Sequence, residues 1–223
     1  MQVPGKSRLV LIAAAALVLV VALGWLWGTK KTRDLESSAR TSIAASTARL
    51  QESLALSPDA PDALVRLEAH AKAVGQHLEA LRREDAKRNR ALAEAAELYL
   101  VDAHAMLRNQ TNATRARGAW HASRRALAAH MSHAAGRGAG WIDQALALKA
   151  RAERDNFDYR TAVGAWAELL RTHRDTQDKV RAAFPAARLL EHAEREAALK
   201  RVQDAGQQAT AELERIRQMA IPR

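Results

Sequence analysis

Cysteine is absent from the 223 residues, which removes thiol nucleophiles and thiolate metal ligands but leaves the redox compartment open. Aromatic residues make up only 4%, and glycine and proline are sparse. That scarcity argues against a β-sandwich or an α/β enzyme and for helices. No GxxxxGK[ST], GxSxG or HExxH occurs, and no Glu-x-x-His pair of the kind that di-iron bundles use. The expectation is a non-enzyme without a cofactor. The excess of Ala and Arg fits a GC-rich bacterial genome and is not read as function. Long apolar runs are also missing, with one exception.

That exception is Leu9 to Trp27, LVLIAAAALVLVVALGWLW, which carries no charge. As a helix it spans about 30 Å, the thickness of a bilayer's hydrocarbon core. Lys6 and Arg8 precede it, and Lys30, Lys31 and Arg33 follow. Trp25 and Trp27 stand where indoles settle among headgroups, so Trp25, Trp27, Lys30 and Lys31 are the expected membrane-interface anchors. A cleaved signal peptide is the alternative, with Ala22-Leu23-Gly24 before Trp25. It lacks a polar region ahead of the cut. Gly24 and Gly28 form a GxxxG at the membrane edge, a weak dimer signal.

Orientation is contested within the sequence. The basic residues after the run favour a cytoplasmic domain by the positive-inside rule. A short basic tail before one apolar helix instead resembles an export signal, and long domains cross largely regardless of charge. The expectation is a single-pass protein of the bacterial inner membrane with its C-terminal domain periplasmic.

The formal net charge is +10, and its distribution is uneven. Between residues 108 and 140 there are six arginines (Arg108, Arg115, Arg117, Arg124, Arg125 and Arg137) and no acid. This stretch is a candidate anion-binding face for lipid headgroups or cell-wall polymer. Nucleic acid is disfavoured, because only Trp120 lies there for base stacking. The competing reading is internal pairing, with a hairpin at Asn109 laying the arginines against Glu84, Asp85, Glu94, Glu97 and Asp102. Asn109-Gln-Thr and Asn112-Ala-Thr are N-x-T sequons, incidental in a bacterial chain.

Breakers divide the chain into five segments: the anchor running to Leu56, then 60–108, 112–135, 140–184 and 186–219. Ser57-Pro58-Asp59-Ala60-Pro61 is a turn, Asn109 to Asn112 ends one helix and caps the next, Gly136, Gly138 and Gly140 form a joint, and Pro185 breaks the last segments apart. Apolar residues recur at alternating spacings of three and four. The series are Leu64, Leu67, Ala71, Val74, Leu78, Leu81 and, later, Leu92, Ala95, Tyr99. The fourth segment has Trp141, Ala145, Leu148, Ala152, Asp155, Tyr159, Ala162, Trp166, Leu169, and the last has Leu199, Val202, Gly206, Ala209, Leu213, Ile216. Such seams predict nearly parallel or antiparallel helices. Phe157 to Leu170 resembles the middle of a tetratricopeptide repeat, with Tyr159, Ala162, Trp166 and Leu170 at repeat-like spacing, although no second copy follows at 34 residues.

Histidines offer one metal test. His130 and His133 share a helical face, His121 precedes them, and His70 and His77 flank a seam. No carboxylate stands beside His130 and His133, so solvated or seam-edge histidines are expected instead of a metal or haem site.

The expected fold is all-α: a basic tail at 1–8, a transmembrane helix at 9–28, its continuation at 29–56, and an elongated, coiled-coil-like bundle of about four helices at 57–223. The expected function is a membrane-anchored scaffold that binds a protein partner or a second copy. The alternative is an extracytoplasmic sensory bundle that holds a small ligand and signals through a separate protein.

Overall fold

The computed structural model describes residues 5–83, 90–133 and 138–221, with side chains throughout except at 5–18, 20–24, 31 and 139. Five helices account for the fold, and no strand occurs among the described residues. They are α1 (Gly5–Ala55), α2 (Ala63–Arg83), α3 (Arg90–Ser132), α4 (Ala139–Ala183) and α5 (His192–Gln218). Among the described residues no helix is long and apolar enough to cross a membrane. The run Leu9 to Trp27 expected to do so lies in α1, and most of its side chains are outside the described residues.

Cross-helix contacts set the directions. Arg82 meets Glu97, and Arg115 meets Glu68, so α2 and α3 are antiparallel. Trp120 stacks on Tyr159 while Tyr99 meets His173, so α3 and α4 are antiparallel too. Asn156 reaches the carbonyl of Ala209, and Lys149 reaches those of Arg217 and Met219, which makes α4 and α5 antiparallel. Thr47 meets Tyr99 and Ser53 meets Gln110, so α1 and α3 run the same way.

These levels create two sections. The lower holds α1, α2, the first half of α3, the last half of α4 and the start of α5. The upper holds only the later half of α3, the first half of α4 and most of α5. The α1–α2 turn sits at the step between them. With 43 residues, α3 alone extends about 65 Å, so the bundle is elongated.

One main core joins the helices, from Leu35, Ile43 and Leu50 of α1 through Val74, Tyr99, Leu107 and Leu170 to Phe184, Leu190 and Val202. A small second cluster of Leu127, Ala152 and Ile216 closes the upper end. Among the described side chains of α1 the first buried one is Leu35, whereas Trp25, Leu26 and Trp27 are exposed. Residues 35–54 are therefore a full member of the bundle, not a linker beneath it.

Several expectations need correction. Asn109 to Asn112 does not end a helix; α3 runs straight through. Gln110 and Thr111 are buried there, with Gln110 donating to the Ser53 carbonyl at 2.7 Å and Thr111 to the Leu107 carbonyl. Asn109 donates to the carbonyl of Ala105. Polar side chains satisfied in this way leave the backbone ladder intact. The break comes instead between Arg83 and Arg90, where the apolar rhythm lapses, and residues 84–89 are outside those described. Gly138 is the N-cap of α4, whereas Gly140 lies inside that helix. Near Pro185 the expected boundary at 186 moves on, because Phe184 to Glu191 form a link before α5. Glu191 and Glu194 then make a reciprocal capping box, which supplies acceptors for the first amides of α5.

The seam of α4 also shifts. Ala145, Ala152 and Tyr159 are buried as expected, but beyond them Val163, Ala167 and Leu170 take the inner positions. Ala162, Trp166 and Leu169 become half-buried edges packed against the core. Because α4 lies between α3 and α5, its buried stripe is wider than a two-position seam. The resemblance to a tetratricopeptide repeat ends here as well. All its residues fall inside one 45-residue helix, with no turn to make a helix pair.

Candidate functional site

Of the six arginines in the acid-free stretch, three are matched by acids from other elements. Arg115 bonds Glu68 at 2.7 Å, Arg117 holds Asp59 through two hydrogen bonds of 2.5 and 3.1 Å, and Arg124 bonds Glu212 at 3.1 Å. Arg124 also lies over the Trp120 ring. Arg108 and Arg125 are exposed, and Arg137 is outside the described residues. Internal pairing is thus realised, but not with the acids expected. Glu94 is taken by Arg90, Glu97 by Arg82 and Asp102 by His173, while Glu84 and Asp85 are not among the described residues. The partners come from α2, the α1–α2 turn and α5 because α3 runs unbroken through Asn109 and packs antiparallel to α2.

The membrane-interface candidates lie below the bundle. Trp25 and Trp27 are 70% and 64% exposed, Lys30 is exposed, and the side chain of Lys31 is not described. The five described arginines, Arg108 to Arg125, lie farther along the bundle. Since α3 runs in the same direction as α1, Arg108 stands about 27 Å beyond the start of α3, and the later arginines stand farther. The membrane-interface candidates thus lie at one end of the rod, and the described arginines run from its middle onward.

The histidines make local contacts. His130 stacks on Trp141 at 5.0 Å and reaches the Trp141 carbonyl, and His133 contacts the Ala129 carbonyl. Among the described residues no group of three or more His, Cys, Asp or Glu is placed to hold a metal ion.

A buried polar chain went unseen in the sequence. Thr47 Oγ1 lies 2.6 Å from the Tyr99 hydroxyl, and the Tyr99 ring lies against His173, whose Nδ1 meets the Asp102 carboxylate. Burial pushes the Tyr99 phenol up to about 12. His173 and Tyr99 are both wholly buried, so no substrate reaches the pair, and its part is to tie α1, α3 and α4 together. Only the spacing of Tyr99 and Asp102 on one face hinted at it.

A mainly apolar concavity lies at the step between the two sections. There the α1–α2 turn rests against α3, α4 and α5. Arg117 clamps the turn through Asp59, and Ala60 donates back to Ser57. Beneath it is a cleft of about 110 Å³, lined mainly by apolar groups that include Leu54, Leu67, Tyr159, Val163, Trp166 and Val202. Tyr159 is held by its stack on Trp120, 5.4 Å between ring centres and 15° between planes. Burial raises its phenol above the ordinary value. The Trp166 Nε1–H is buried and has no acceptor. Arg201 also lines the cleft, and its hydrogen bond goes only to the carbonyl of Ala197, one turn back on α5.

Four histidines make the fold acid-sensitive. His70, His77, His104 and His121 all have pKa values lowered from 6.5, chiefly by burial. For His104 and His121, neighbouring arginines act in the same direction. Below pH 6.5 the unfolded chain binds protons that the folded chain refuses, so stability falls as pH drops through that value. Glu52 adds a loss at lower pH, since its hydrogen bond from Arg66 holds its carboxyl below 4.5. The melting temperature should be flat above neutrality and decline from pH 6.5 downward. Replacing the four histidines with glutamine should flatten that decline; an unchanged slope would refute the assignment.

Comparison with protein-family profiles, curated proteins and solved structures finds no match for this chain.

Proposed function

We propose that the chain is a single-pass, membrane-anchored helical scaffold that binds a protein partner or a second copy of itself. The observation that carries this reading is the continuity of α1. The uncharged run Leu9 to Trp27 and the core residues Leu35 to Leu54 belong to one helix without a break. A helix apolar at one end and built into a bundle at the other is what a rigid tether needs. Placement in a bacterial inner membrane, with the bundle on the periplasmic side, follows from the export-like N-terminus.

Contact, not chemistry, is the working mode of such a rod. Phe157 at 63%, Leu146 at 51% and the pair Leu98 and Val101 near 40% leave apolar side chains open along α3 and α4. Arg108 and Arg125 stand too far along the bundle to reach the lipid of their own anchor, so cell-wall polymer is the anionic partner that suits them.

In-membrane cross-linking from cysteines placed at Leu98, Phe157 and Arg125 tests this reading. A discrete adduct with a second copy or another protein is expected. Monomer at every position would overturn it, and a topology reporter after Arg223 decides the side of the membrane.

A further inference from the structure

We propose that the cleft beneath the α1–α2 turn is a binding site for a small monocarboxylate with an apolar body of about one aromatic ring. Three features of the cleft point to this chemistry, and none depends on the membrane reading.

The first is size and lining. A free volume of about 110 Å³ is somewhat smaller than an engineered apolar cavity of ~150 Å³ that admits benzene. Leu54, Leu67, Val163 and Val202 offer such a body aliphatic contact, and Tyr159, fixed by Trp120, offers a ring face. A purely polar solute would lose its water against these walls.

The second is charge. Arg117 is already bonded twice to Asp59, so its guanidinium is occupied. Arg201 has no carboxylate partner among the described residues. An exposed guanidinium bordering an apolar cleft favours a planar anion that it can bind through two parallel hydrogen bonds. A carboxylate fits that fork, with its apolar body directed inward.

The third is an unsatisfied donor. The Trp166 Nε1–H is buried in the cleft's lining without an acceptor, and a buried donor left unpaired costs about 1–3 kcal/mol. A small turn of the indole brings that donor to the cleft surface, where a carboxylate oxygen supplies the acceptor and a hydrocarbon ligand does not. Indole and guanidinium together select an anion over a neutral ring.

The placement has a consequence for α1. Leu54, the last buried residue of that helix, is part of the cleft wall, as are Leu56 and Pro58 of the turn. A bound ligand touches the end of the helix that leads to the apolar run, and it is enclosed by elements of both sections.

Calorimetric titration of the full chain in zwitterionic nanodiscs tests the site, with benzoate as probe and benzyl alcohol as its uncharged counterpart. Benzoate should bind at millimolar concentration or better, and more tightly than benzyl alcohol. Arg201→Gln should weaken benzoate about tenfold or more, and leave benzyl alcohol unchanged. Ala205→Leu adds three carbons to the lining and should abolish both, while a melting curve confirms that the bundle is intact. Absence of benzoate binding at millimolar concentration overturns the proposal. So does binding that is indifferent to Arg201→Gln or to Ala205→Leu.

Discussion

Removal of residues 1–28 is expected to transfer the chain completely from the membrane pellet to the supernatant, with no loss of thermal stability in the remaining bundle. Both halves of that expectation come from α1. Leu35 is the first of its described side chains to enter the core, and Trp25, Leu26 and Trp27 are exposed. Among the described side chains, none of the buried core residues belongs to the deleted part. Transfer of an uncharged helical run of this length out of lipid is so unfavourable that the intact chain should resist alkaline carbonate. Fractionation and a melting curve on both chains provide the check. A truncated chain that stays in the pellet, or a full chain that carbonate strips off, would remove the tether from the account. A truncated chain that melts lower would show that the apolar run also supports the fold.

The second large effect concerns stability. The chain has two phenylalanines, and they occupy opposite environments. Phe184 is completely buried at the C-terminus of α4, where its amide donates to the Val180 carbonyl at 2.7 Å. It packs within the main core, which also holds Leu189 and Leu190 of the following link. Phe184→Ala should cost about 3–5 kcal/mol, because the lost transfer energy is joined by a cavity that helices cannot close. At about 2–4 °C per kcal/mol for a bundle of this size, the melting temperature should fall by about 10 °C. Phe157 is 63% exposed on the same helix, and Phe157→Ala should stay within about 0.5 kcal/mol. Chemical denaturation of both variants decides the matter. Equal losses would mean that the C-terminal end of α4 is not packed as described.

How far the sequence could be read depended on how many neighbours each helix has. In α2 one narrow stripe meets the bundle, and Leu67, Ala71, Val74, Leu78 and Leu81 are buried in the order their spacing implies, although at its start Ala63 is buried and Leu64, the expected first position, is only half-buried. In α5 the same holds for Val202, Ala209, Leu213 and Ile216. Helix α4 is embraced on two sides, so Ala162 and Val163 are both apolar for good reason, and periodicity alone had no means of choosing the inner one. In α3 the misleading signal was polarity. Gln110 and Thr111 look like loop residues until their carbonyl partners, Ser53 and Leu107, are known. The cleft was wholly illegible. It gathers residues from Leu54 to Ala205 out of all five helices and a turn, and no local spacing encodes such a meeting. The pairing of Asp102 with His173, 71 positions apart, is hidden for the same reason.

An unbroken helix between lipid and bundle also has a phase. For a chain held by α1, each residue inserted between Gly28 and Asp34 would lift the bundle by about 1.5 Å and turn it by about 100°. Two insertions would face Phe157 and its neighbours almost the opposite way, while seven would restore the original facing with a longer neck. For such a tether, the azimuth at which the rod meets its surroundings is therefore written in the length of a few residues outside the core.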